Sequence, residues 1–173
     1  CSDNADSSFL LLAPSSAGQA SASSLSSNTV KVLDGIEDIL PSSSHDEINH
    51  IRETIITAYR DVAARATDKT KTFSPSTFVT LIETLSNFKG KWEAHVASAD
   101  APVKAIFDYA IDMEIAAANY WAGQAYLIGS IDTGKEMENG SENGASKFFQ
   151  KAQQVYFDLT AIDDFSKDPV LNF

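Results

Sequence analysis

From Thr29 onward, apolar residues recur at steps of three and four, the spacing of one face of an α-helix, and no strand-length run of alternating polarity interrupts them. Val32, Leu33, Ile36, Ile39 and Leu40 predict a short first helix, stopped by Pro41 and the three serines after it. Ser44 followed by Glu47 has the spacing of a capping box, in which the serine oxygen accepts a backbone N–H and the glutamate reaches back to the cap. It opens a second helix, striped by Ile48, Ile51, Ile55, Tyr59, Val62 and Ala66 and ending near Asp68. After a loop over residues 69–73, Ser74 supplies an N-cap and Pro75 a first helical residue, where a missing N–H costs nothing. Phe78, Leu81, Ile82, Leu85, Phe88, Trp92 and Val96 then make the buried face of a third helix.

Residues 102–131 are the most regular stretch. Ile106, Ala110, Met113, Ala117, Tyr120, Gln124, Leu127 and Ile131 alternate steps of four and three, as a and d positions of a coiled coil do. Phe107, Ala118, Trp121 and Ala122 beside them are also apolar, so this helix is expected to be central and buried on more than one face. A membrane span is not expected: Asn119, Gln124 and Ser130 make the uncharged 17-residue run over 115–131 too polar, and Asp108, Asp112 and Glu114 bound it closely. A polar loop over 132–144 holds the turn-favouring pairs Asn139-Gly140 and Asn143-Gly144. A last helix follows on Phe148, Ala152, Val155, Leu159 and Ile162. These elements predict an all-α domain over residues 29–173, an up-and-down four-helix bundle with an extra short N-terminal helix.

Residues 1–28 differ in kind. They hold ten serines with Pro14 and Gly18 and no Lys, Arg or Glu, a tether composition. One apolar patch, Phe9, Leu10, Leu11 and Leu12, interrupts it; being too short to span a bilayer, it is expected to bind a protein partner. The sole cysteine, Cys1, rules out an intrachain disulfide. Cys1-Ser2-Asp3-Asn4-Ala5-Asp6-Ser7-Ser8 resembles the processed start of bacterial lipoproteins, in which a cysteine carrying a diacylglycerol precedes a small, polar tether. The resemblance implies lipidation at Cys1. Each buried acyl methylene is worth about 0.8 kcal/mol, so such a chain holds a soluble domain at a membrane. It also implies a location in the cell envelope, at an outer membrane or the cell surface, with which Ser2 is compatible.

Composition narrows the function classes. Thirteen basic against 24 acidic side chains leave a net charge of −11, which opposes binding to nucleic-acid phosphates. Acidic excess is concentrated in the second half, and all three arginines, Arg52, Arg60 and Arg65, fall in the second helix, giving it a locally basic face. No nucleophile elbow, phosphate loop or dinucleotide fingerprint occurs, so no enzymatic activity and no cofactor is expected. A ferritin-like metal site is tested by its Glu-x-x-His pairs: Glu47-Ile48-Asn49-His50 supplies one and the second is missing. Glu114, His95, Asp108 and Asp112 are the side chains left to complete it, and no metal is expected. The acidic loop residues Asp132, Glu136, Glu138 and Glu142 lack EF-hand spacing, with Met137 at the position that needs glycine. Asn119 and Gln124 are read as polar seam residues that fix helix register.

Two functions lead, with a ferritin-like metalloprotein as a less favoured third. The first is a lipid-anchored, exported helical protein with a structural or adaptor role in a cell-envelope assembly. The alternative is a bundle that binds a small ligand or cofactor, with Trp92, Trp121, Tyr120 and Tyr126 as aromatic lining.

Overall fold

A computed structural model describes residues 28–133 and 147–155 of the chain, and every regular element among these residues is helical. The short first helix, α1 over residues 28–36, tightens into a 3-10 turn at Glu37–Ile39. Pro41 does not simply end the segment. Its carbonyl accepts both the Ser44 N–H and the Ser44 hydroxyl, and Ser42–Ser44 forms a second 3-10 turn that feeds directly into α2, His45–Thr67. Ser44 therefore sits in a helical backbone conformation with its hydroxyl already used, and it caps nothing. The expected capping box is not formed.

The next junction follows its local signals. Ser74 is extended, its oxygen accepts the Ser76 N–H, and Pro75 opens α3, Pro75–Ala99. A single residue, Asp100, separates α3 from α4, Ala101–Thr133, and its carboxylate accepts the Val103 N–H at the new helix start. At 33 residues α4 is about 50 Å long. The last described helix, α5, covers residues 147–155.

Contacts fix the directions. Tyr59 meets Phe78 edge-on while Glu47 meets Trp92, so α2 and α3 are antiparallel; Phe73 meets Trp121 while Phe88 meets Phe107, so α3 and α4 are antiparallel too. The α3–α4 pairing is the most extensive in the fold and is tied by Lys89 Nζ, 2.9 and 3.0 Å from the two Asp112 oxygens. Helix α1 is clamped to α2 by Arg52, which pairs with both Asp34 and Glu37 and also reaches Asn49. That clamp engages Arg52, one of the arginines of the locally basic face expected on this helix, while Arg60 is exposed. Tyr126 of α4 stacks on Phe148 and Tyr120 meets Phe149 at a tilt, which attaches α5 to the face of α4.

One core runs from Val30 in α1 through Ile48, Ile55, Phe78, Leu85, Phe107 and Ile111 to Ala125 in α4. On α4, Ala110, Met113 and Ala117 of the expected seam are buried together with the neighbouring stripe, so the helix is buried on more than one face, as expected. Ile106, a predicted seam position, is 56% exposed, while Phe107, Ile111, Ala118, Trp121 and Ala125 are buried. Both stripes have helical spacing, but the second carries the larger side chains and buries more apolar area. No helix among the described residues is long and apolar enough to cross a membrane.

Candidate functional site

The stripe that begins at Phe107 puts a carboxylate in the core. Phe107, Ile111, Glu114, Ala118, Trp121 and Ala125 follow one another at steps of four and three, so Glu114 occupies a core position and is fully buried. The hydroxyl of Tyr59, itself buried on α2, donates to Glu114 Oε2 at 3.1 Å. A buried carboxylate without hydrogen bonds is costly, and this contact ties the centre of α2 to the centre of α4. The same sequence spacing that revealed the other helices would have shown Glu114 on this face.

Glu47 has a different setting. Freed from any cap, its carboxylate crosses to α3, where Oε1 accepts from Lys91 Nζ at 2.6 Å and Oε2 from Trp92 Nε1 at 2.7 Å. The Lys91 ammonium also lies 5.2 Å from the Trp92 ring centroid. Partial burial pushes the Glu47 carboxyl up, but the two hydrogen bonds and the Lys91 charge outweigh it and hold the group below its ordinary value. Trp92 also meets the exposed His95 edge-on, and His95 Nε2 donates to the Ile39 carbonyl at 2.9 Å. The residues of the imagined metal site are therefore dispersed: Glu47 binds α3, Glu114 binds Tyr59, Asp108 pairs with Lys104 and Asp112 with Lys89. Among the described residues no group of three or more His, Cys, Asp or Glu side chains stands close enough to hold a metal.

Asn119 and Gln124 also behave differently from the register role expected of them. Asn119 Nδ2 donates to the Ile115 carbonyl and Gln124 Nε2 to the Tyr120 hydroxyl, both at 2.9 Å and both within α4. Of the four aromatic residues considered for ligand lining, Trp92 serves Glu47 and Trp121 packs between Phe73 and Tyr120. Tyr126 borders a cleft between α3, α4 and α5.

Two kinds of depression mark the surface. Along the α2–α3 seam, a groove of ≈520 Å³ has Ile51 and Phe88 as floor and Asp46, His50, Asn87 and Lys91 as rim. It continues past His50 into a ≈380 Å³ groove lined by Thr54, Thr57, Thr77 and Thr80. Between α3, α4 and α5 lies a larger cleft of ≈650 Å³. Val79 and Ile82 of α3, Ile115 of α4, and Phe148 and Val155 of α5 form its apolar walls. Asn119 and Tyr126 are polar groups inside it, and Glu83, Lys147 and Lys151 complete its edge. The cleft exists because α5 approaches α4 through large rings. Phe149 closes over Gly123, where an added Cβ would stand 2.7 Å from the ring, and Phe148 stacks on Tyr126 at 5.8 Å between centroids.

Cys1 and the patch Phe9, Leu10, Leu11 and Leu12 lie outside the described residues, as do Glu136, Glu138 and Glu142. Comparison with protein families, with curated proteins and with solved structures finds no match to this chain.

Proposed function

We propose that the chain is a binding protein that catalyses no reaction of its own, and that it holds a small apolar ligand in the cleft between α3, α4 and α5. One observation carries this reading: a cavity of ≈650 Å³ with mostly apolar walls and a few polar groups, the size and make-up of small-molecule sites. In this reading α5 completes an up-and-down four-helix bundle with α2, α3 and α4, and ligand sites between bundle helices are a common use of that architecture. Titration of the purified full chain with a neutral solvatochromic dye tests it. We expect a blue-shifted emission that saturates at one dye per chain and is abolished in Val79→Trp, whose indole fills the cleft. A chain that leaves the dye emission unchanged removes the reading.

A second reading is an adaptor or structural protein of a cell-envelope assembly, and the α2–α3 groove favours it. That groove is open and rich in hydroxyl groups, suited to the polar contacts of a protein partner. The apolar patch Phe9, Leu10, Leu11 and Leu12 would add a second contact, and lipid on Cys1 would hold the assembly at a membrane. Crosslinking from a photoreactive residue at Thr80 in the native host, with intact mass of the recovered protein, tests both parts. Absence of a crosslinked protein and an unmodified Cys1 would remove this reading.

A further inference from the structure

We propose that the cleft between α3, α4 and α5 takes a free, linear long-chain carboxylate, with its hydrocarbon against the apolar walls and its head group at Lys147 and Lys151. This rests on the ligand-binding reading above and names the ligand's chemistry. The first argument is shape and polarity. Val79, Ile82, Ile115, Phe148 and Val155 come from three helices and line one continuous apolar space, which suits a flexible chain without polar atoms.

The second argument is charge. In a chain of net charge −11, lysines meet carboxylates easily: Lys89 pairs with Asp112, Lys91 with Glu47 and Lys104 with Asp108. Lys147 and Lys151, like the loop residues Lys69 and Lys71, stand outside such pairs among the described residues, but unlike those two they line the cleft. They stand one turn apart on the same side of α5. Two lysines at i and i+4 on an exposed helix face repel each other mildly, and an anion between them relieves that repulsion. The cleft's own acidic residue, Glu83, belongs to α3 and leaves a local excess of positive charge. An apolar cavity with a positive edge selects an amphipathic anion over a neutral lipid and over a small hydrophilic anion. Lysine's aliphatic stem also extends the apolar wall up to the head group.

The test is competition against the neutral dye on the full chain, using decanoate, dodecanoate and tetradecanoate beside the alcohols of the same length. Each buried methylene should tighten binding roughly fourfold until the cleft is full. The carboxylate should bind on the order of fivefold to tenfold tighter than its alcohol at low salt, and this gap should shrink as salt rises. In the double variant Lys147→Met, Lys151→Met, which keeps the stems and removes the charges, the gap should vanish while alcohol binding stays. Retained alcohol binding shows that the variant is folded.

An equal affinity for carboxylate and alcohol, or a gap that survives in the double variant, overturns the proposal while leaving the cleft reading intact. Binding to anionic phospholipid vesicles without binding to monomeric dodecanoate overturns it in favour of a membrane surface. Loss of all binding, the dye included, removes the underlying reading as well.

Discussion

Glu47 shows how far one side chain can depart from its local sequence context. It stands three residues after a serine, where a capping box is expected, yet its oxygens are taken by Lys91 and Trp92, the latter 45 residues away. Its folded carboxyl is held below its ordinary value by those hydrogen bonds, against the opposing effect of burial. A group with a lowered folded pKa contributes stability that is present above the unfolded pKa and lost as pH falls through the folded one. Native protein should therefore lose stability more steeply than Glu47→Gln as pH falls below about 5, near the group's unperturbed range. Urea midpoints measured across that interval check this. Equal slopes for the two proteins would show that the carboxylate is not held as described. At this scale the sequence reading named Glu47 and Glu114 as residues of interest but misjudged both settings, because their partners lie on other helices.

Among the elements, the attachment of α5 is the most delicate. Its described contacts centre on two rings, Phe148 on Tyr126 and Phe149 over Gly123 beside Tyr120. Glycine inside a helix costs about 1 kcal/mol relative to alanine, and here its missing Cβ makes room for Phe149. Gly123→Ala should leave the overall unfolding midpoint nearly unchanged, since the helix gains in propensity what the contact loses. The docking of α5 should weaken by about 1–3 kcal/mol, the usual cost of overpacking. Hydrogen exchange separates these effects: amides of residues 147–155 should exchange faster while those of α3 keep their protection. Unchanged exchange in α5 would mean that Phe149 shifts without cost. The boundary at Ser74 and Pro75 was legible in advance because a cap depends on neighbours two residues away. The exposure of Ile106 at the start of α4 was not, since the stripes containing Ile106 and Phe107 have equal periodicity and differ only in what they meet.

For the molecule as a whole, the core is continuous from Val30 to Ala125, so α1 is part of the cooperative unit despite its length. Leu33 is fully buried and Arg52 adds a polar clamp to Asp34 and Glu37. Leu33→Ala should lower global stability by about 2–5 kcal/mol with an unchanged urea m-value and a single transition. Two transitions, or a loss confined to the first helix, would show that α1 folds apart from the rest. The excess negative charge lies on a body in which Lys89 and Lys91 are drawn into ion pairs across helices and Lys104 pairs with Asp108 within α4.

By itself the sequence determined that the described chain is helical, where Pro41 and Ser74–Pro75 interrupt it, and which residues of α3 are buried. Those features depend on backbone geometry and on neighbours within about one turn, and the apolar spacing records them directly. Tertiary structure alone decided that Ile106 stays exposed beside buried Phe107, that Glu47 bridges helices instead of capping one, and that a cleft remains under α5. Each of those outcomes is a competition among side chains remote in sequence for the same space or the same proton donor. Periodicity within one helix does not record who wins it.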